Sequence, residues 1–170
     1  MLLNFVYGLI GVALLTAFCL IVPYVAPQAA YWTMTPKVKE LMEKSGVSKK
    51  LEGKNVIGLI ILSVVIFFGA AVVIICAGKQ GVESGMNLFQ LSVRFVIFWW
   101  MVSIFDAVVL DWWMFTKTKV FGIWFKKTQG KEPPVWSIEP QWDGKEIPKL
   151  IGEVVLSVVM AWIFIKIFRG

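Results

Sequence analysis

The chain has no histidine. That removes the commonest general base and the commonest metal ligand together. Nor does it hold a Gly-rich phosphate loop, a GxSxG elbow, an HExxH pair or a CxxC pair, so the sequence marks no catalytic residue, no metal site and no cofactor site. Only two cysteines are present, Cys19 and Cys76. Charge is scarce as well: Asp, Glu, Lys and Arg make up 16% of the residues against 58% apolar ones. A chain this apolar does not form a water-soluble domain of its size.

What is present are long apolar runs. Crossing a hydrocarbon core of ~30 Å takes about 20 mostly apolar residues in a helix. Four stretches meet or approach that length: Leu2–Val22, Val56–Gly78, Leu88–Phe115 and Leu150–Phe168. The expected fold is therefore all-α, a single membrane domain in which four transmembrane helices form a bundle. The first run has no Lys or Arg before it and no clean small-residue cleavage site after it, so it is expected to remain in the mature protein. Cys19 falls near one end of the first run and Cys76 near the opposite membrane face in the second. At ~1.5 Å of rise per residue they are roughly a membrane thickness apart, and they read as small apolar packing residues.

The lysines set the expected orientation. Lys37, Lys39, Lys44, Lys49, Lys50 and Lys54 lie in loop 23–55, and Lys117, Lys119, Lys126, Lys127, Lys131, Lys145 and Lys149 lie in loop 116–149. The segment between the second and third runs has only Lys79. Cationic loops stay on the cytoplasmic side, which places both long loops inside and both termini outside a cell membrane. The net charge of +6 is thus a topology signal. With the lysines split between two loops, membrane lipids are the expected partner and nucleic acid is not.

Both loops carry pattern. In "TMTPKVKELMEKSG", Thr35 can cap a helix with Pro36 at its first position, Val38, Leu41 and Met42 recur at helical spacing, and Gly46 can end it. This predicts a short amphipathic helix on the inner surface. The second loop holds Trp124 between lysine pairs, then a four-proline segment with Trp136 and Trp142, which excludes a regular helix and suits interfacial anchoring. A strip for docking a partner protein is the other reading of those tryptophans. The two halves show no residue-level repeat.

Small and polar residues define the expected packing faces. Gly8 and Gly11 in the first run, with Asn4 close to the same side, allow a close helix approach, and Glu153, Ser157 and Ala161 recur every fourth residue in the last run. The third run carries Arg94, Ser103, Asp106 and Asp111. Arg94 and Asp111 are 17 residues apart. At about 25 Å along a helix they fall near opposite interfaces, with Arg94 expected to snorkel into the outer headgroups. Asp106 lies deeper, where an ionised carboxylate costs several kcal/mol unless it faces water, pairs with a cation or takes a proton. It is expected to point inward, and its candidate partners are Glu153 as a proton-sharing neighbour, Arg94 of another subunit, a loop lysine, or nearby Trp and Ser donors, Ser103 among them one turn away on the same face. Asp106 and Asp111 project about 140° apart on an α-helix, which disfavours a shared metal. A purely structural use of these acids is the competing account.

Three functions follow from these residues. The favoured one is a transport or channel subunit that moves a cation or proton past Asp106, Glu153 and Ser157, built from copies of itself in a homo-oligomer. The alternative is a non-catalytic accessory or scaffold subunit of a larger membrane complex. An enzyme acting on lipid headgroups through Asp111, Glu139 and Asp143 is less favoured, because scattered acids and lysines occur at any membrane surface.

Overall fold

The computed structural model describes residues 2–26, 29, 40, 43, 44, 46, 53–117, 126 and 146–169. Every element among them is helical and no strand occurs among them. Helix α1 spans Leu2–Val25, α2 Gly53–Glu83, α3 Leu88–Phe105 and α4 Glu146–Arg169. Directly after α3 comes a π-helical stretch, Asp106–Lys117. Among the described residues, four helices are long and apolar enough to cross a membrane, Leu2–Val22, Gly53–Glu83, Leu88–Leu110 and Ile147–Arg169. The amphipathic helix expected over 35–46 and the anchors Trp124, Trp136 and Trp142 lie outside the described residues, apart from isolated positions of the first.

Exposure is inverted relative to a water-soluble protein. Phe67 and Phe68 are each 70% exposed, whereas Arg94 is 2% and Ser157 0% exposed. In water such an apolar surface would drive association, but in lipid it is the ordinary outer face of a helix. The arrangement fits a chain whose surroundings are hydrocarbon.

Local chemistry sets the helix ends. α2 continues past the apolar run through Lys79 and Gln80 to Glu83, and Gly85 stops it by adopting φ +75°. Gly85 N–H donates to Val82 O at 3.0 Å and Met86 N–H to Gly81 O at 3.1 Å, a Schellman closure that satisfies the last carbonyls. Asn87 then caps α3: its side chain accepts from Gln90 N–H at 2.9 Å, and the Gln90 side chain accepts from Asn87 N–H at 3.1 Å. Two helices are joined by a turn of minimal length. In α4, Pro148 sits in the first turn, where its missing N–H costs nothing, and Lys166 and Arg169 sit in the last turn against the negative end of the helix dipole.

The described chain divides into two compact units. The first comprises α1 to Leu15, α2 from Phe67, α3 with Asp106, and α4. Its core is Ala77, Val82, Leu91, Phe95 and Ala161, with Tyr7, Trp99, Met160 and Phe164 packed against it. The close approach expected at Gly8 and Gly11 is there: a Cβ on Gly8 would strike Met101, and one on Gly11 would meet Phe98 and Val102 at 2.8–3.0 Å. Gly78 gives the Phe164 ring a seat on α2 in the same way. The second unit comprises α1 from Thr16, α2 up to Ile66 and the π-helical stretch from Ala107. Val22, Ala26 and Ala29 form its core with Phe18, Leu59 and Leu62, and Gly58 admits the side chain of Val25.

Candidate functional site

Two buried polar centres lie in the first unit. The first is built on Arg94, which is expected from sequence to snorkel outward but instead points into the protein. Its Nε donates to Asn4 Oδ1 at 2.8 Å, its Nη1 donates to Ala77 O at 2.8 Å and to Gln80 Oε1, and the guanidinium carbon lies 5.8 Å from the centre of the Tyr7 ring. Snorkelling gains only solvation, whereas α1 and α2 here supply three oxygens and an aromatic face at fixed positions. Gly81 leaves space for this: a Cβ there would come within 3.1 Å of Nη1. Among the described residues no carboxylate ion-pairs with Arg94. Its charge is held by neutral acceptors, which fixes α1, α2 and α3 together at one level.

The second centre is built on Glu153, at the contact between α3 and α4. Ser103 Oγ–H donates to Glu153 Oε1, and Ser157 Oγ–H donates back to Glu153 O at 2.7 Å. Glu153 is 9% exposed, and its other oxygen, Oε2, is buried with no hydrogen-bond partner. Trp99 Nε1–H is the second buried polar atom in that position. An unmet buried donor or acceptor costs about 1–3 kcal/mol, so two on one helix contact are a feature to be explained. Just beyond, Trp100 Nε1–H donates to Leu150 O at 3.3 Å.

Asp106 lies at the end of α3. It is half-buried, its N–H reaching Ser103 O and Val102 O. The hydroxyl of Ser103, a candidate donor to Asp106, goes to Glu153 because α4 runs antiparallel to α3 and puts Glu153 opposite Ser103. The backbone over Asp106–Lys117 is π-helical, so the α-helical geometry behind the expected 140° divergence is not the geometry of this stretch. The Asp111 side chain lies outside the described residues. Among those described, no three metal-ligating side chains converge.

Of the residues singled out from sequence, Ser103, Glu153 and Ser157 come together, Arg94 forms a separate centre, and Asp106 ends α3 half-buried. Asn4, Tyr7, Gln80 and Trp99 complete the two centres without having been read as site residues. Trp99 had a usable signal, since it precedes Ser103 by one helical turn and shares its face. For Gln80 the signal was a polar residue at the edge of an apolar run. Chemically, the second centre offers a carboxylate with one open oxygen in a low-dielectric wall, a place to hold a proton or one small polar group. No protein-family model, no curated protein and no solved structure matches the chain.

Proposed function

We propose that the chain is a multi-pass protein of the cell membrane, with both termini outside and loops 23–55 and 116–149 in the cytoplasm, that serves as a transport or channel subunit moving a cation or proton past intramembrane carboxylates. The observation that carries this reading is Glu153: a carboxylate about two turns into an apolar helix, 9% exposed, with Ser103 on one oxygen and no hydrogen-bond partner on the other. As a device for holding two helices together it is poor, because leaving one oxygen unmet forfeits what the other gains. As a group that exchanges a proton or cation it has the open valence the task requires. Asp106, half-buried at the end of α3, is the second carboxylate of this path.

The test is ion and proton flux into liposomes holding the purified chain. Glu153→Gln and Asp106→Asn keep size and hydrogen bonding while removing the charge, and each is expected to abolish flux while assembly stays normal. Full flux in Glu153→Gln would sink the pathway role. Native mass spectrometry of the protein gently extracted from its own membranes separates this reading from an accessory role: copies of one chain are expected, and a stoichiometric complex with a different protein would move the assignment to an accessory subunit.

A further inference from the structure

Two complementary polar atoms, one on α3 and one on α4, are buried without a hydrogen-bond partner: Trp99 Nε1–H, a donor, and Glu153 Oε2, an acceptor. The helices themselves make them neighbours. Trp99 lies one turn before Ser103 on the same face of α3, and Ser103 is bonded to the other oxygen of Glu153. The Phe95–Phe164 ring contact, centroids 5.5 Å apart, fixes the antiparallel register one turn further on. Trp99 therefore falls across from the turn of α4 that begins at Ser157, next to the turn of Glu153. The indole packs against an apolar cluster that includes Phe95 and Ala161.

A donor and an acceptor of this kind are both satisfied by one group that carries a lone pair and an O–H. We propose that the α3–α4 contact binds a single hydroxylic ligand, whose oxygen accepts the Trp99 Nε1–H and whose hydrogen is donated to Glu153 Oε2. Ser157, fully buried with its own hydrogen committed to Glu153 O, keeps a lone pair that can take the second hydrogen when the ligand is water, whereas an alcohol makes only the first two contacts. Two or three polar partners are what a buried water takes. The same chemistry is available from the hydroxyl of a membrane-soluble alcohol. A metal ion is a poor occupant: Ca²⁺ takes about six to eight oxygens and Mg²⁺ a near-octahedral shell, whereas Ser103 and Trp99 present hydrogens and one carboxylate oxygen stands open. Within the pathway reading, on which this consequence alone rests, such a site serves a proton and not a metal ion.

The experiment is NMR of the full chain in phosphatidylcholine nanodiscs with ¹⁵N-labelled tryptophan, Trp99→Phe identifying the Trp99 indole signal. A through-space cross-peak from the Trp99 Nε1–H to water, present with and without added 1-dodecanol, is expected if the source is water. A cross-peak to the carbinol protons of 1-dodecanol, appearing on its addition, assigns the ligand to a membrane alcohol. Contact with neither, or direct contact between the indole N–H and the Glu153 carboxyl carbon, overturns the proposal. Glu153→Gln keeps an acceptor and is expected to retain the cross-peak with a shifted indole frequency; an unshifted frequency overturns the bridge to Glu153. Proton flux is scored separately in vesicles. Contact without flux removes the pathway reading and leaves the ligand, and flux without contact does the reverse.

Discussion

Arg94 shows what a buried cation needs when no acid is at hand. Its fork reaches Asn4, Ala77 O and Gln80 from two nitrogens, and Tyr7 covers its face. A lysine has one nitrogen at the end of a flexible stem and cannot span those acceptors from one position. Hydrogen bonds to charged groups contribute about 1.5–3 kcal/mol each, so Arg94→Lys is expected to lower stability by about that amount, read as an earlier midpoint in detergent unfolding. An unchanged midpoint would mean that the three contacts contribute nothing net. That this residue matters was visible in the sequence, as an arginine inside an apolar run. Its direction was not, because the acceptors come from helices 90 and 14 residues away. The same holds for Ser103, whose partner is set by the antiparallel register of α4 and not by the residues one turn along its own helix.

At the level of elements, close packing rests on glycines. On Gly78 a Cβ would run into the Phe164 ring, and because that ring also contacts Phe95 at 5.5 Å and stacks on Phe168 at 5.8 Å it has little room to yield. Overpacking of this kind costs about 1–3 kcal/mol. Gly78→Ala is expected to destabilise by that amount, and adding Phe164→Leu to recover part of it; a double variant no better than the single one would place the cost elsewhere. Asn87→Ala removes the capping box at the start of α3, with an expected loss of about 1 kcal/mol and faster hydrogen exchange in the first turn of that helix. The existence of the four helices was legible from apolar length alone, and so were the close approaches at Gly8 and Gly11. Their ends were less so. Counting apolar residues stops α2 at Gly78, but its backbone bonding runs on through Lys79 and Gln80 until Gly85 closes it. The π-helical stretch had no herald, since "DAVVLDWWMFTK" holds neither proline nor glycine to mark a departure from α-helix.

For the whole molecule, the decisive asymmetry is charge. Six lysines lie in the first long loop and seven in the second, while the sequence between the second and third apolar runs holds Lys79 alone, with Arg169 of α4 donating to Met86 O in the turn at 3.2 Å. Even that lysine sits 3.8 Å from Glu83, so the α2 end carries almost no net cation. Cationic loops resist translocation, and with short connections the bias acts on each hairpin. The turn at Ser84–Asn87 is therefore expected outside and both lysine-rich loops inside. In a chain carrying Cys19→Ala and Cys76→Ala, Ser84→Cys is expected to react with a membrane-impermeant maleimide on intact cells. Ser48→Cys, in the first long loop, is expected to react only after the membrane is opened. The opposite pattern would invert the topology and move Glu153 and Asp106 to the other end of the path, with Lys149 then guarding the outer mouth. Labelling of both positions on intact cells would mean that the chain inserts in two orientations, as dual-topology subunits do when the charge bias is weak, and the lysine count argues against that outcome.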